Sequence, residues 1–133
     1  MAEIEYLDIL DVISLLPSVL EHGGGMSGLR DAAALEAAVA RPQMAAFYDD
    51  RDLVQQGILL LTGLALAHAF VDGNKRIALL ATLVSWEMNG LAVRGDAREV
   101  AELLVATITA SAERAARIAE LEAWARAHLV SIT

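Results

Sequence analysis

His68-Ala69-Phe70-Val71-Asp72-Gly73-Asn74-Lys75-Arg76 joins two long apolar runs. Upstream, Gly57 to Val71 holds no charged residue unless His68 is protonated; downstream, Ile77 to Trp86 is similar. Each run falls short of the roughly 18–20 residues that cross a bilayer. Asp72, Lys75 and Arg76 also stand between them. The pattern therefore excludes a membrane hairpin and predicts two central helices, apolar nearly all round, with amphipathic helices packed about them.

Strand signals are almost absent outward from this pair, because alternating β-branched runs are missing and Ala, Leu and Glu dominate. A first helix is predicted from about Asp8 to Leu16, with Leu7, Leu10, Ile13 and Leu15 supplying apolar spacing. Pro17 ends or kinks it, Ser18 to His22 adds a turn, and His22-Gly23-Gly24-Gly25 makes a flexible loop. Asp31 caps a second helix that stops at Arg41 before Pro42, followed by a loop through Phe47, Tyr48, Asp49 and Asp50. The two central helices span about Asp52 to Ala67 and Asn74 to Asn89, with Gly90 at the C′ position. Leu91 to Gly95 is a short extended link. Asp96 caps a fifth helix, about Ala97 to Ala110, and Ser111 caps a sixth that reaches about His128. The expected fold is all-α, a compact bundle of about six helices around two central apolar ones, in a single domain over 1–133.

Composition narrows the function classes. The 133 residues suffice for one unstapled core, and the absence of cysteine excludes disulfides and thiolate metal sites. A net charge of −8 argues against a nucleic-acid binder, which needs a basic footprint. At 56 % hydrophobic the chain is too apolar for intrinsic disorder. Met1 to Asp11 carries four acids and no basic n-region, so the expected location is cytoplasmic. Nine of the ten basic residues are Arg, and the single Lys is Lys75. A compact ammonium there points to a specific need.

The joining segment concentrates chemistry. His68 ends an apolar helix and offers an imidazole, which accepts a proton near neutral pH as a general base does. Asp72 offers a hard oxygen for a cation such as Mg²⁺. Gly73 lets backbone approach a ligand without a Cβ. Asn74 serves as an N-cap, and the free N–H groups at this helix start form an anion site. Lys75 and Arg76 occupy the first helical turn, where the dipole disfavours cations by about 0.3–1 kcal/mol each. Free N–H groups with two cations describe a cradle for a polyanion, most simply nucleotide phosphates. No Gly-Lys-Ser/Thr occurs, so it is not a P-loop, and the Asp-Phe-Gly and His-Arg-Asp elements of protein kinases are absent.

The segment resembles the Fic/Doc (Fido) signature, His-x-Phe-x-Asp/Glu-Gly-Asn-Gly/Lys-Arg. Gly28-Leu29-Arg30-Asp31, the run Leu35 to Gln43 and Trp86-Glu87-Met88-Asn89-Gly90 resemble flanking parts of death-on-curing toxins. The resemblance covers about Tyr6 to Ala110. AMP-transferring members usually carry Gly at the place of Lys75 and a second Arg at the place of Leu79, so the pattern resembles the Doc branch. That branch implies a protein kinase that uses ATP and Mg²⁺, phosphorylates a threonine of elongation factor Tu and arrests translation. By position, the resemblance makes His68 the catalytic base, Asp72 the metal ligand, and Gly73, Asn74, Lys75 and Arg76 the ATP-binding residues. It also implies a small antitoxin acting in trans, and a segment ahead of the motif, for which the Phe47-Tyr48 loop is the candidate, that positions the target. Ala69 and Ile77 depart from a common Pro and Thr. The rival expectations are AMP transfer by the same site and a degenerate binding module.

Overall fold

The structure is a computed structural model that describes residues 3–132, the side chains of residues 97 and 111 excepted. Its order is α1 (Ile9–Ser14), α2 (Leu16–Gly23), α3 (Ala32–Asp49), α4 (Leu53–Ala67), α5 (Asn74–Met88), β1 (Leu91–Val93), α6 (Ala97–Thr109), α7 (Arg114–His128) and β2 (Leu129–Ser131). Counting α1 and α2 as one helix broken at Leu15, the described residues hold the expected six. No described helix is long and apolar enough to cross a membrane.

Helices α4 and α5 form the centre as their sequences demand. Ile58, Leu60, Leu61, Leu64 and Ala65 of α4 are buried with Ile77, Ala78, Ala81 and Trp86 of α5. The pair meets closely because Gly57 leaves room for the Trp86 indole, whose Nε1 donates to the Leu53 carbonyl at 3.2 Å. Two buried hydroxyls in these helices are satisfied within their own turns, Thr62 to the Ile58 carbonyl at 3.0 Å and Thr82 to the Ala78 carbonyl at 2.8 Å. Asp31 and Asp96 cap α3 and α6 as expected, and Asp52 caps α4, each side chain accepting from a first-turn N–H.

The structure corrects three boundaries. Helix α3 runs through Pro42 to Asp49, so Phe47 and Tyr48 are helical rather than in a loop. A mid-helix proline costs about 3 kcal/mol. Here its ring is buried and Ala45 and Ala46 beyond it are half-buried, which offsets that cost, and the helix stops at Asp50 with φ 54°. Ser111 does not cap the last helix. It opens a 3₁₀ turn, Ser111–Glu113, and α7 starts at Arg114, whose guanidinium closes α6 by donating to the Thr107 and Ile108 carbonyls at 3.3 and 2.9 Å. Finally, the extended link is a strand: β1 pairs antiparallel with β2, Ala92 opposite Val130. Three-residue strands are too short to show a period of two.

Candidate active site

The segment from His68 to Arg76 turns the chain from α4 into α5. His68 closes α4 in the left-handed region, φ 49° and ψ 40°, which directs the chain sharply out of the helix. This conformation costs a non-glycine residue about 1–3 kcal/mol and clusters at functional sites. The imidazole is exposed rather than packed in the core. Phe70, in contrast, is 2 % exposed and anchors the turn. Gly73, with φ 85°, is the N-cap of α5 and supplies no side-chain cap. The first amide bonded back along the helix is that of Ile77, to the Gly73 carbonyl. The amides of the four preceding residues are therefore unused by the helix.

Asn74 is not the N-cap. It is the first residue of α5, and its amide binds Phe70 twice: Oδ1 accepts from the Phe70 N–H at 3.0 Å and Nδ2 donates to the Phe70 carbonyl at 2.9 Å. This closes the loop 70–74 into a rigid ring. Arg76 likewise has a protein partner. Its Nη1 and Nη2 donate to the carbonyls of Val19 and Gly24 at 3.1 and 2.9 Å, at the C-terminal end of α2. A cation misplaced for the dipole of α5 is thus well placed for that of α2. Lys75 has no such compensation: it is exposed and makes no ion pair among the described residues.

All six expected site residues line one cleft of ≈ 300 Å³, together with Ala65 and Val71. Ligand clefts span roughly 300–1,000 Å³, so this one matches a phosphate-bearing end rather than a deep pocket. Unused amides, Lys75 and the remaining Arg76 donors suit a polyanion. For a cation the cleft offers one carboxylate, Asp72, of which Oδ2 already accepts from the Met26 N–H at 2.8 Å. Among the described residues no group of three His, Asp or Glu could hold a metal alone. Asp72 fits Mg²⁺ only as an ion that arrives with phosphate oxygens of its own.

A segment absent from the expected site lies directly on it. Residues 23–31 are not a free loop. Val71 N–H donates to the Gly28 carbonyl at 3.0 Å, Leu29 bridges Phe70, and the Arg30 and Asp31 amides both donate to the Ala69 carbonyl, at 2.6 and 3.0 Å. The run Gly28-Leu29-Arg30-Asp31 was the available signal, because it stood out among the flanks. Phe47 and Tyr48 do not line this cleft. Helix α3 begins at Ala32, next to the motif, and at 1.5 Å per residue Phe47 is about 22 Å further along that helix.

The model of the Fic/DOC family matches residues 6–85. The chain belongs to the Fic/Doc family. "Toxin Doc" of Mycolicibacterium smegmatis is 39 % identical over 94 residues, covering 69 % of this chain and 70 % of that protein. "Protein kinase doc" of Escherichia phage P1 is 33 % identical over 100 residues, covering 74 % and 79 %. Both relatives agree with the Doc branch, and the all-α architecture agrees with the Fido fold. The family match contains all the cleft residues from Ala65 to Arg76 and all of α3, α4 and the segment 23–31.

Proposed function

We propose that this chain is a Doc-type toxin that transfers the γ-phosphate of ATP to a protein hydroxyl, with a threonine of elongation factor Tu as the target. Translation arrest in the cytoplasm and inhibition by a small antitoxin in trans belong to the same proposal. The observation that carries it is the placement of an exposed His68 on the rim of the cleft that also holds Lys75, Arg76 and the open amides of α5. The printed name of the phage relative, a protein kinase, supports phosphoryl rather than adenylyl transfer.

In this mechanism the unused amides of Gly73 to Arg76, with the Lys75 ammonium and the free Arg76 N–H groups, hold the triphosphate. Asp72 holds Mg²⁺, which when bound neutralises phosphate charge. His68 takes the proton of the attacking hydroxyl. The hydroxyl oxygen forms the new bond to the γ-phosphorus, the bond from that phosphorus to the β–γ bridging oxygen breaks, and ADP leaves. Asn74 contributes rigidity, because both of its bonds hold the turn that carries these groups.

The test is transfer of label from ATP to purified elongation factor Tu. Label from the γ-position, lost in His68→Ala, is the expected result. Label from the α-position alone would replace the kinase by AMP transfer. Growth arrest undiminished in His68→Ala would replace catalysis by binding. Lys75→Gly is expected to abolish γ-transfer, and unchanged γ-transfer would remove the role given to Lys75.

A further inference from the structure

Gly23-Gly24-Gly25 lies against the motif, and each glycine meets a different surrounding. Gly23 ends α2 beneath the Arg76 guanidinium. A Cβ there would run into Nη1 and would come within 2.7 Å of Cζ. Gly24 has φ 73° and nothing within 4 Å of an added Cβ, so only its backbone conformation calls for glycine. Gly25 has φ 116°, and a Cβ there would sit 2.9 Å from the Asp72 Cβ. The segment also bonds to the same two side chains, through the Gly24 carbonyl to Arg76 and the Met26 amide to Asp72.

We propose that residues 23–26 are a positioning element, with Gly23 setting the orientation of Arg76 and Gly25 that of Asp72. The inference rests on the reading of the cleft as a nucleotide site and deepens it. Arg76 is exposed and Asp72 only half-buried, and beyond the Val19 carbonyl on Arg76 the hydrogen bonds that hold these two side chains come from this segment. A free arginine has much rotamer entropy to lose on binding. Two of its five N–H groups are committed to the Val19 and Gly24 carbonyls, which orients the planar guanidinium and leaves three donors for phosphate. Asp72 is fixed through Oδ2, which leaves Oδ1 for a cation. The ordering cost is then met on folding instead of on binding. The long separation, from Gly24 to Arg76 and from Met26 to Asp72, ties the N-terminal helices to the chemistry.

The experiment uses the full chain and a non-hydrolysable ATP analogue, with affinity measured by calorimetry in the presence and absence of Mg²⁺. Gly23→Ala is expected to weaken binding about three- to tenfold in both conditions, the range set by immobilising one long side chain. Gly25→Ala is expected to raise the Mg²⁺ concentration needed by a similar factor and to leave Mg²⁺-free affinity unchanged. The effect of Gly23→Ala should vanish in an Arg76→Lys background, and that of Gly25→Ala in an Asp72→Asn background. Additive losses, or equal effects of the two glycine variants in both conditions, would overturn the proposal. The nucleotide-free protein gives a second readout, the Nη–H resonances of Arg76. Resolved signals in the parent chain that average out in Gly23→Ala support the positioning role, and averaged signals in the parent overturn it. Resolved signals in a chain that binds no nucleotide overturn the nucleotide reading of the cleft and, with it, the purpose assigned to the element.

Discussion

Replacing Asn74 separates its hold on the turn from any contact it makes with phosphate. Its side-chain amide donates one hydrogen bond to the Phe70 backbone and accepts another, both at about normal length and both part-buried. A neutral hydrogen bond contributes a net of about 0.5–1.5 kcal/mol, so Asn74→Ala is expected to cost about 1–3 kcal/mol. With a urea slope of about 2 kcal/mol per molar, a 2 kcal/mol loss lowers the unfolding midpoint by about 1 M. Asn74→Asp keeps the acceptor for the Phe70 N–H and gains from the helix dipole, but it sets an oxygen against the Phe70 carbonyl. Its stability should lie between those of the parent and Asn74→Ala. Its ATP affinity should nonetheless fall below that of Asn74→Ala at urea-free conditions, because a negative charge then faces the anion cradle. Urea unfolding followed by fluorescence, paired with ATP titration, reads both quantities. A midpoint for Asn74→Ala within about 0.2 M of the parent would refute the hydrogen-bonded ring as the source of the turn's rigidity.

Three further outcomes follow from packing, charge and distance. Gly57→Ala gains about 0.8–1.0 kcal/mol of helix propensity but drives a methyl into the Trp86 indole, an overpacking cost of about 1–3 kcal/mol. A melting temperature a few degrees lower is expected by calorimetry, and an unchanged or higher one would show that the indole moves freely. Burial pushes the Asp52 carboxyl up, but the Gln55 N–H and the Arg126 guanidinium at 2.8 Å outweigh it and hold the group below its ordinary value of 3.8. Its stabilisation is thus present above the ordinary value and disappears as pH falls through the lower folded one. Both side chains are about half exposed, and Arg126 also reaches Glu122 at 2.8 Å, so Arg126→Ala should cost under about 1 kcal/mol at pH 7 and less as acid protonates the two carboxylates; an equal loss at both extremes would contradict the pairing. Phe47→Ser with Tyr48→Ser, at residues 81 % and 74 % exposed, should leave phosphate transfer intact and stability within about 0.5 kcal/mol. Lost transfer would return the end of α3 to the site.

The fold was legible where signals are local and strong. The Asp31 and Asp96 caps, the glycine after α5 and the two uncharged runs each act within a few residues, and each marks a real boundary. Pro42 misled because its local penalty is real but smaller than what the rest of α3 gains by packing on α4, which no window around residue 42 contains. The β1–β2 pair was hidden for the opposite reason: its strands are three residues each and 38 positions apart by their aligned centres, Ala92 and Val130.

The same division runs through the active site. Its chemistry lies within nine consecutive residues, so types and spacing were enough to nominate His68, Asp72 and the cradle. What those side chains do before a ligand arrives is decided by partners 46 to 57 residues away in sequence, Met26, Gly24 and Val19. Lys75 and Arg76 show the consequence. Adjacent in sequence, both break the dipole preference of α5, and both were read as phosphate ligands on that ground. In the structure the second cation neutralises the end of α2, whereas Lys75 makes no ion pair among the described residues. Function inferred from a broken local preference is therefore strongest for Lys75, and for Arg76 it must rest on the three donors that the α2 carbonyls leave free.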